Sequence, residues 1–190
     1  MAISLGFEQD IWLANSLITL YSKSGEHPSS MLVFELLKSK DVVSWTAMIV
    51  AYANHGHYAL QVFAHILISG TKPDEVIFVG LLSACSHADL INQGRRVFGS
   101  IKGTYNLNLK VDHYSCLVDI LGRVRLVDEA MNVVSSIPPS ERDEAVLVAL
   151  LGACKIHGDS IVANSIGEKL LVLDYVISNF FLYLHSLITI

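Results

Sequence analysis

Positive charge is in short supply in this chain. Lysine and arginine number 13 against 18 aspartates and glutamates, and charged residues make up only 16% of the 190 positions. The net charge of −5 removes the general electrostatic pull toward nucleic acid or an acidic membrane that a basic surface provides. Cysteine is sparse too. Cys85, Cys116 and Cys154 are odd in number and far apart, which argues for a reducing compartment over a disulfide framework. The first twenty residues carry neither a signal peptide nor an Arg- and Ser-rich transit peptide. Catalytic signatures are missing as well. The H-x-E and C-x-x-C pair of a zinc deaminase does not occur, nor does a glycine-rich phosphate loop or G-x-S-x-G. Eight histidines, among them His55, His57, His87 and His157 at expected helix ends, show no metal-pair spacing with a carboxylate. Asp112, His113 and Ser115 are neighbours in sequence, whereas a catalytic triad is assembled in space. No enzyme activity, metal or cofactor is expected.

What is abundant is apolar surface, at 52% of residues, enough to exclude disorder and to fill the core of one domain. One stretch organises it: DVVSWTAMIVAYANHGHYALQVFAHILISGTKPD, Asp41 to Asp74. It predicts an extended entry at Asp41–Ser44 and a helix from Trp45 to Ala53. A break follows at Asn54-His55-Gly56, where Asn and Gly tolerate the left-handed conformation, then a second helix from Tyr58 to Ile68 and a closing turn to Asp74.

The first half of this unit recurs. Asn15 to Gly25, Thr46 to Gly56, Val79 to Asp89, Ser115 to Arg125 and Val148 to Gly158 share a pattern of small and apolar residues ending in a break. The starts are 31, 33, 36 and 33 residues apart, the signature of a solenoid. Second helices agree through Val33-Phe34, Val62-Phe63, Val97-Phe98 and Val133-Val134, with Leu37 and Ile66 a turn away. No helical pair can bury such a face alone, so neighbours must stack into a continuous core. Cys85 and Cys154 fall at the repeat position of Tyr21 and Tyr52 and read as packing residues.

The residues that distinguish one helical repeat from another then come into play. VVSWTAMI from Val42 with Lys72-Pro-Asp, GLLSACSHA from Gly80, YSCLVDILGR from Tyr114 with LVDEA from Leu126, and ALLGACKIHG from Ala149 resemble pentatricopeptide repeats. Their order resembles the end of a plant pentatricopeptide protein of the PLS subclass with a C-terminal E motif. The resemblance implies an all-α, right-handed α-solenoid. It divides the chain into the end of a long repeat (1–10), a short repeat (11–41), a standard repeat (42–74), a long repeat (75–110), a short repeat (111–143), an E motif (144–177) and an apolar tail (178–190). A start in mid-repeat is expected to reflect a truncated product or a mis-assigned Met1. Pro28 is tolerable in a first helical turn, Arg123 to Leu126 should form a strained or shifted turn, and Leu147 replaces a usual Trp. The run from Leu170 to Ile190 is interrupted by Asp174, Asn179 and His185, short of the roughly 20 apolar residues a membrane anchor needs, so no membrane role is expected.

In that family each repeat can address one RNA base through a side chain early in the first helix and the last residue of the repeat. Carried over, Asn15 with Asp41 resembles a uracil reader and Thr46 with Asp74 a guanine reader, with Ser115 and Asp143 as a weaker pair. Trp12, Val43 and Val76 take the positions that wedge between bases, a role Asp112 does not suit. Val79, paired with Lys110, cannot read a base edge. Read without the family, the same polar residues are ordinary helix starts and caps. The implied protein is a monomeric, non-catalytic binder of single-stranded RNA in mitochondrion or chloroplast. It resembles a C-to-U editing specificity factor that relies on a separate DYW-type deaminase engaged through the E motif. A protein-binding helical scaffold, or a remnant without function, remains the alternative.

Overall fold

The computed structural model describes residues 10–52, 56–138, 146, 148–150 and 152. Among these it contains eight α-helices and no strand: α1 (Ile11–Lys23), α2 (His27–Leu36), α3 (Val42–Ala51), α4 (Gly56–Ile68), α5 (Glu75–His87), α6 (Ile91–Gly103), α7 (Val111–Arg123) and α8 (Val127–Ser136). Residues 146, 148–150 and 152 are helical as well.

The first helix of each pair starts on a repeated device. The carboxylates of Asp10, Asp41 and Asp74 accept the backbone N–H three residues on, from Leu13 at 3.0 Å, Ser44 at 2.8 Å and Ile77 at 2.9 Å. Each satisfies an amide that the helix itself leaves unpaired. The capping at Asp41 corrects one expectation. Val42, Val43 and Ser44 are not an extended entry but the first turn of α3; only Asp41 is extended, at φ −98° and ψ 178°. The β-branched pair favours extension, but the cap overrides so weak a preference. Gly56, expected to end a helix, instead opens α4. Pro28 sits in the first turn of α2, where its missing N–H costs nothing.

At α7 the capping position holds Lys110, and His113 substitutes. Its Nδ1 accepts the Lys110 N–H at 2.9 Å, which leaves Nε2 to donate to the Glu75 carbonyl at 2.9 Å. The ring is fully buried and ties the start of α7 to the start of α5.

The ends of the first helices also repeat. Gly25, Asp89 and Arg125 all adopt positive φ, at 79°, 54° and 62°. Each donates its N–H to the residue three back, and the next residue donates to the one five back: Gly25 to Ser22, Asp89 to Ser86 and Arg125 to Gly122, then Glu26 to Tyr21, Leu90 to Cys85 and Leu126 to Leu121. The turn at Arg123–Leu126 is therefore not shifted. It keeps the bonds of the Gly25 turn, and the strain sits in a left-handed arginine.

Helices α1, α3, α5 and α7 pack in series; α2, α4 and α6 each lie on their own first helix and the next one, and α8 lies on α7. This is an α-solenoid. Its core repeats with the sequence: Ile18, Ile49, Leu82 and Val118, each three residues after the repeat start, have no solvent exposure. Val33, Val62, Val97 and Val134 line the opposing face. Phe98 packs against both the larger cluster and the one around α7 and α8, so the core runs unbroken across that joint. Each such side chain contributes about 1.5–3 kcal/mol by burial. Gly80 lets α3 and α5 approach closely, since a Cβ there would stand 2.9 Å from Ile49 Cγ2.

Candidate nucleic-acid interface

The starts of α3 and α5 and the second half of α1 enclose a groove of about 350 Å³. Thr46 and Asp74 line it together with Val43 and Val76, while Thr19, Ser22 and Lys23 form the wall contributed by α1. The groove exists because one helical stripe repeats. Val43, Thr46, Ala47 and Val50 fall at i, i+3, i+4 and i+7, on one face of α3. The walls are apolar: Val43 and Val76 are 56% and 57% exposed although the core is close by. Trp12, one repeat earlier, is 81% exposed on α1.

The polar atoms divide sharply. Thr46 Oγ1 donates to the Val42 carbonyl at 2.8 Å, so its hydrogen is used and its lone pairs remain. Asp74 Oδ1 accepts from Ile77, which leaves the carboxylate with spare acceptor capacity. The groove thus offers two acceptors. Asp41 is held more tightly. Its Oδ1 accepts both the N–H and the hydroxyl of Ser44, each at 2.8 Å, and its carboxylate also bonds the Asn15 side chain. Burial pushes the Asp41 carboxyl up, but the Ser44 and Asn15 hydrogen bonds outweigh it and hold the group below its ordinary range. Asn15 is buried, and its Oδ1 finds no hydrogen-bond partner among the described residues. A base could reach that oxygen only by displacing what covers it.

The residues taken as readers and the residues taken as caps are therefore the same. Asp41 and Asp74 cap α3 and α5, and Thr46 bonds back to its own helix. Ser115 does the same, donating to Val111 at 3.0 Å. Its proposed partner Asp143 lies outside the described residues, as do Cys154, Leu147, most of the 144–177 span and the tail. The neighbouring Asp112, His113 and Ser115 form no triad, since both His113 nitrogens are engaged by backbone. Burial pushes the Cys85 thiol up to about 11, and burial with the nearby Asp119 and Asp112 charges pushes Cys116 up to about 12, as suits packing thiols. Among the described residues no helix is long and apolar enough to cross a membrane.

Sequence reasoning missed Thr19, Ser22 and Lys23. The available signal was the stripe Trp12, Thr19, Lys23 on α1, which points the same way as Val43 and Thr46 on the next helix. Ser44 was missed because it reads as an unremarkable polar residue in an apolar run.

The family model described as PPR repeat matches residues 13–42 and 43–59. A pentatricopeptide repeat-containing protein of Arabidopsis thaliana is 39% identical over 171 residues, covering 89% of this chain and 24% of the relative. Two others from the same plant, one named mitochondrial and one chloroplastic, are 39% and 35% identical; they match 86% and 90% of this chain and 23% and 20% of their own lengths. The chain thus spans about a quarter of the length of these relatives. Among solved structures, maize PPR10 in complex with an 18-nt psaJ RNA element superposes with a TM-score of 0.73 over 95% of this chain and 28% of that one, at 17% identity. The PPR domain of Arabidopsis protein-only RNase P 1 in complex with tRNA gives 0.64 over 94% and 98%, at 14% identity. Those identities speak to the fold, and the plant relatives and the matched repeats speak to descent: the chain belongs to the pentatricopeptide repeat family.

Proposed function

We propose that this chain is a sequence-specific binder of single-stranded RNA, with one base held per repeat. The observation that carries the reading is the pairing of Thr46 and Asp74 in one groove between exposed Val43 and Val76. Guanine presents N1–H and an exocyclic N2–H₂ on its pairing edge, and two acceptors complement two donors. The two valines offer apolar surfaces above and below a planar base, and Lys23 supplies a cation within reach of a phosphate. The RNA-bound neighbours support the same reading.

The finer reading is an organelle C-to-U editing specificity factor of the PLS subclass, in which residues 144–177 form an E motif that engages a DYW-type deaminase. In it the chain binds and positions RNA and carries out no chemistry itself. The mitochondrial and chloroplastic names among the relatives support an organelle.

Filter binding with short RNAs containing U-G at adjacent positions tests the proposal. Binding should weaken as salt rises, because phosphate contacts release counterions. With so few repeats the affinity should be modest. Equal binding to all RNAs, or none, would leave the chain a protein-binding scaffold.

A further inference from the structure

We propose that Ser44, a residue of the second repeat, is a positioning residue that sets which pyrimidine the preceding repeat accepts. The inference rests on the reading of Asn15 and Asp41 as a base-reading pair. A carboxylate only accepts hydrogen bonds, so the Asn15 side chain must turn its Nδ2 toward Asp41. Its Oδ1 is then the atom left over, and this is the buried oxygen without a partner. Once a base displaces what covers it, an acceptor fixed there suits uracil, whose N3 carries a hydrogen. It opposes cytosine, whose N3 is itself an acceptor. The choice therefore depends on Asp41 staying where it is.

Ser44 is what keeps it there. It gives Asp41 Oδ1 two hydrogen bonds of 2.8 Å, and its hydroxyl is fully buried, so no solvent competes for it. The next repeat lacks the clamp. Ile77 stands where Ser44 would be and supplies Asp74 with one backbone bond at 2.9 Å. One reader is thus locked by a side chain from across the repeat boundary and the other is not. The specificity of a repeat is not contained within it.

The test uses the full chain with RNAs that differ only by U or C at the position read by the first module, the neighbouring G being kept. Ser44→Ala and Ser44→Cys remove the strong donor, and Ser44→Thr keeps a hydroxyl. The alanine and cysteine variants should reduce the U-over-C preference by roughly 3- to 10-fold, the net scale of one ordinary hydrogen bond, partly by gaining affinity for C. Discrimination at the neighbouring G should not change, and Ser44→Thr should retain the U preference. An equal loss for U and C, or an unchanged ratio, overturns the inference. If the unmodified chain shows no U preference, base reading by this pair fails, and the Asn15 side-chain amide protons decide the role of Ser44 separately. Slow hydrogen exchange of those protons by NMR, lost in both Ser44→Ala and Ser44→Cys, supports the clamp; exchange that stays slow in both overturns it.

Discussion

Arg125 occupies a left-handed turn that Gly25 occupies in an equivalent place, with the same two hydrogen bonds. A side chain in that region costs energy that glycine avoids, although glycine also gains freedom in the unfolded chain. Arg125→Gly removes a left-handed penalty of about 1–2 kcal/mol and adds an entropy cost of about 0.4–1 kcal/mol, so stability should rise by up to about 1 kcal/mol, read as a rise of a few degrees in a thermal melt; a lower Tm would contradict this. Asp41 gives a second prediction at this scale. Its carboxyl is held below its ordinary value, so the stabilisation it brings is complete above the unfolded value near 3.9 and is lost as pH falls through the lower native value. The difference in Tm between the unmodified chain and Asp41→Asn should stay constant from neutral pH down to about pH 4 and shrink below it. A difference independent of pH would count against the hydrogen bonds. Asp41 and Asp74 were legible in the sequence as caps. His113 was not, because its partners are backbone atoms of Lys110 and Glu75, which leave no mark in residue identity.

Elements are joined by contacts that a sequence announces unevenly. The apolar period placed the helices, because one buried face recurs every repeat. Their starts were less legible: the Val42-Val43-Ser44 run favours extension locally, and only the Asp41 cap decides for helix. Gly80 shows the reverse case, a residue that seems neutral in α5 yet sets how near α3 can come. Ile49 is β-branched and buried, so its Cγ2 cannot swing away from an added methyl. Gly80→Ala should destabilise the chain by about 1–3 kcal/mol through overpacking, measured by urea unfolding. An unchanged midpoint would mean that α3 and α5 separate at little cost.

At the scale of the whole molecule the repeat was the clearest signal, since five copies of one pattern leave few architectures that bury them all. The bonds between repeats were invisible. Arg95 of α6 pairs with Glu129 of α8, with Nε to Oε1 at 2.9 Å, and Ser86 of α5 bonds Asp119 of α7, which also accepts from Arg123 at 3.0 Å. These partners are 33 or 34 residues apart, one repeat, and nothing local pairs them. The groove shares that character. Thr46 and Asp74 stand 28 positions apart in sequence and meet only because α5 stacks on α3. Whether they form a reader is the central claim, and one measurement addresses it most directly: equilibrium binding of four RNAs that differ only at the base facing this groove, to the unmodified chain and to Thr46→Asn. Guanine should bind tightest, by roughly tenfold, about one well-placed hydrogen bond, and Thr46→Asn, which gives this groove the Asn–Asp pair of the first module, should lose that preference and gain affinity for uracil, with little change for adenine and cytosine. Equal affinity for all four bases in the unmodified chain, or a guanine preference that survives the substitution, would contradict the claim.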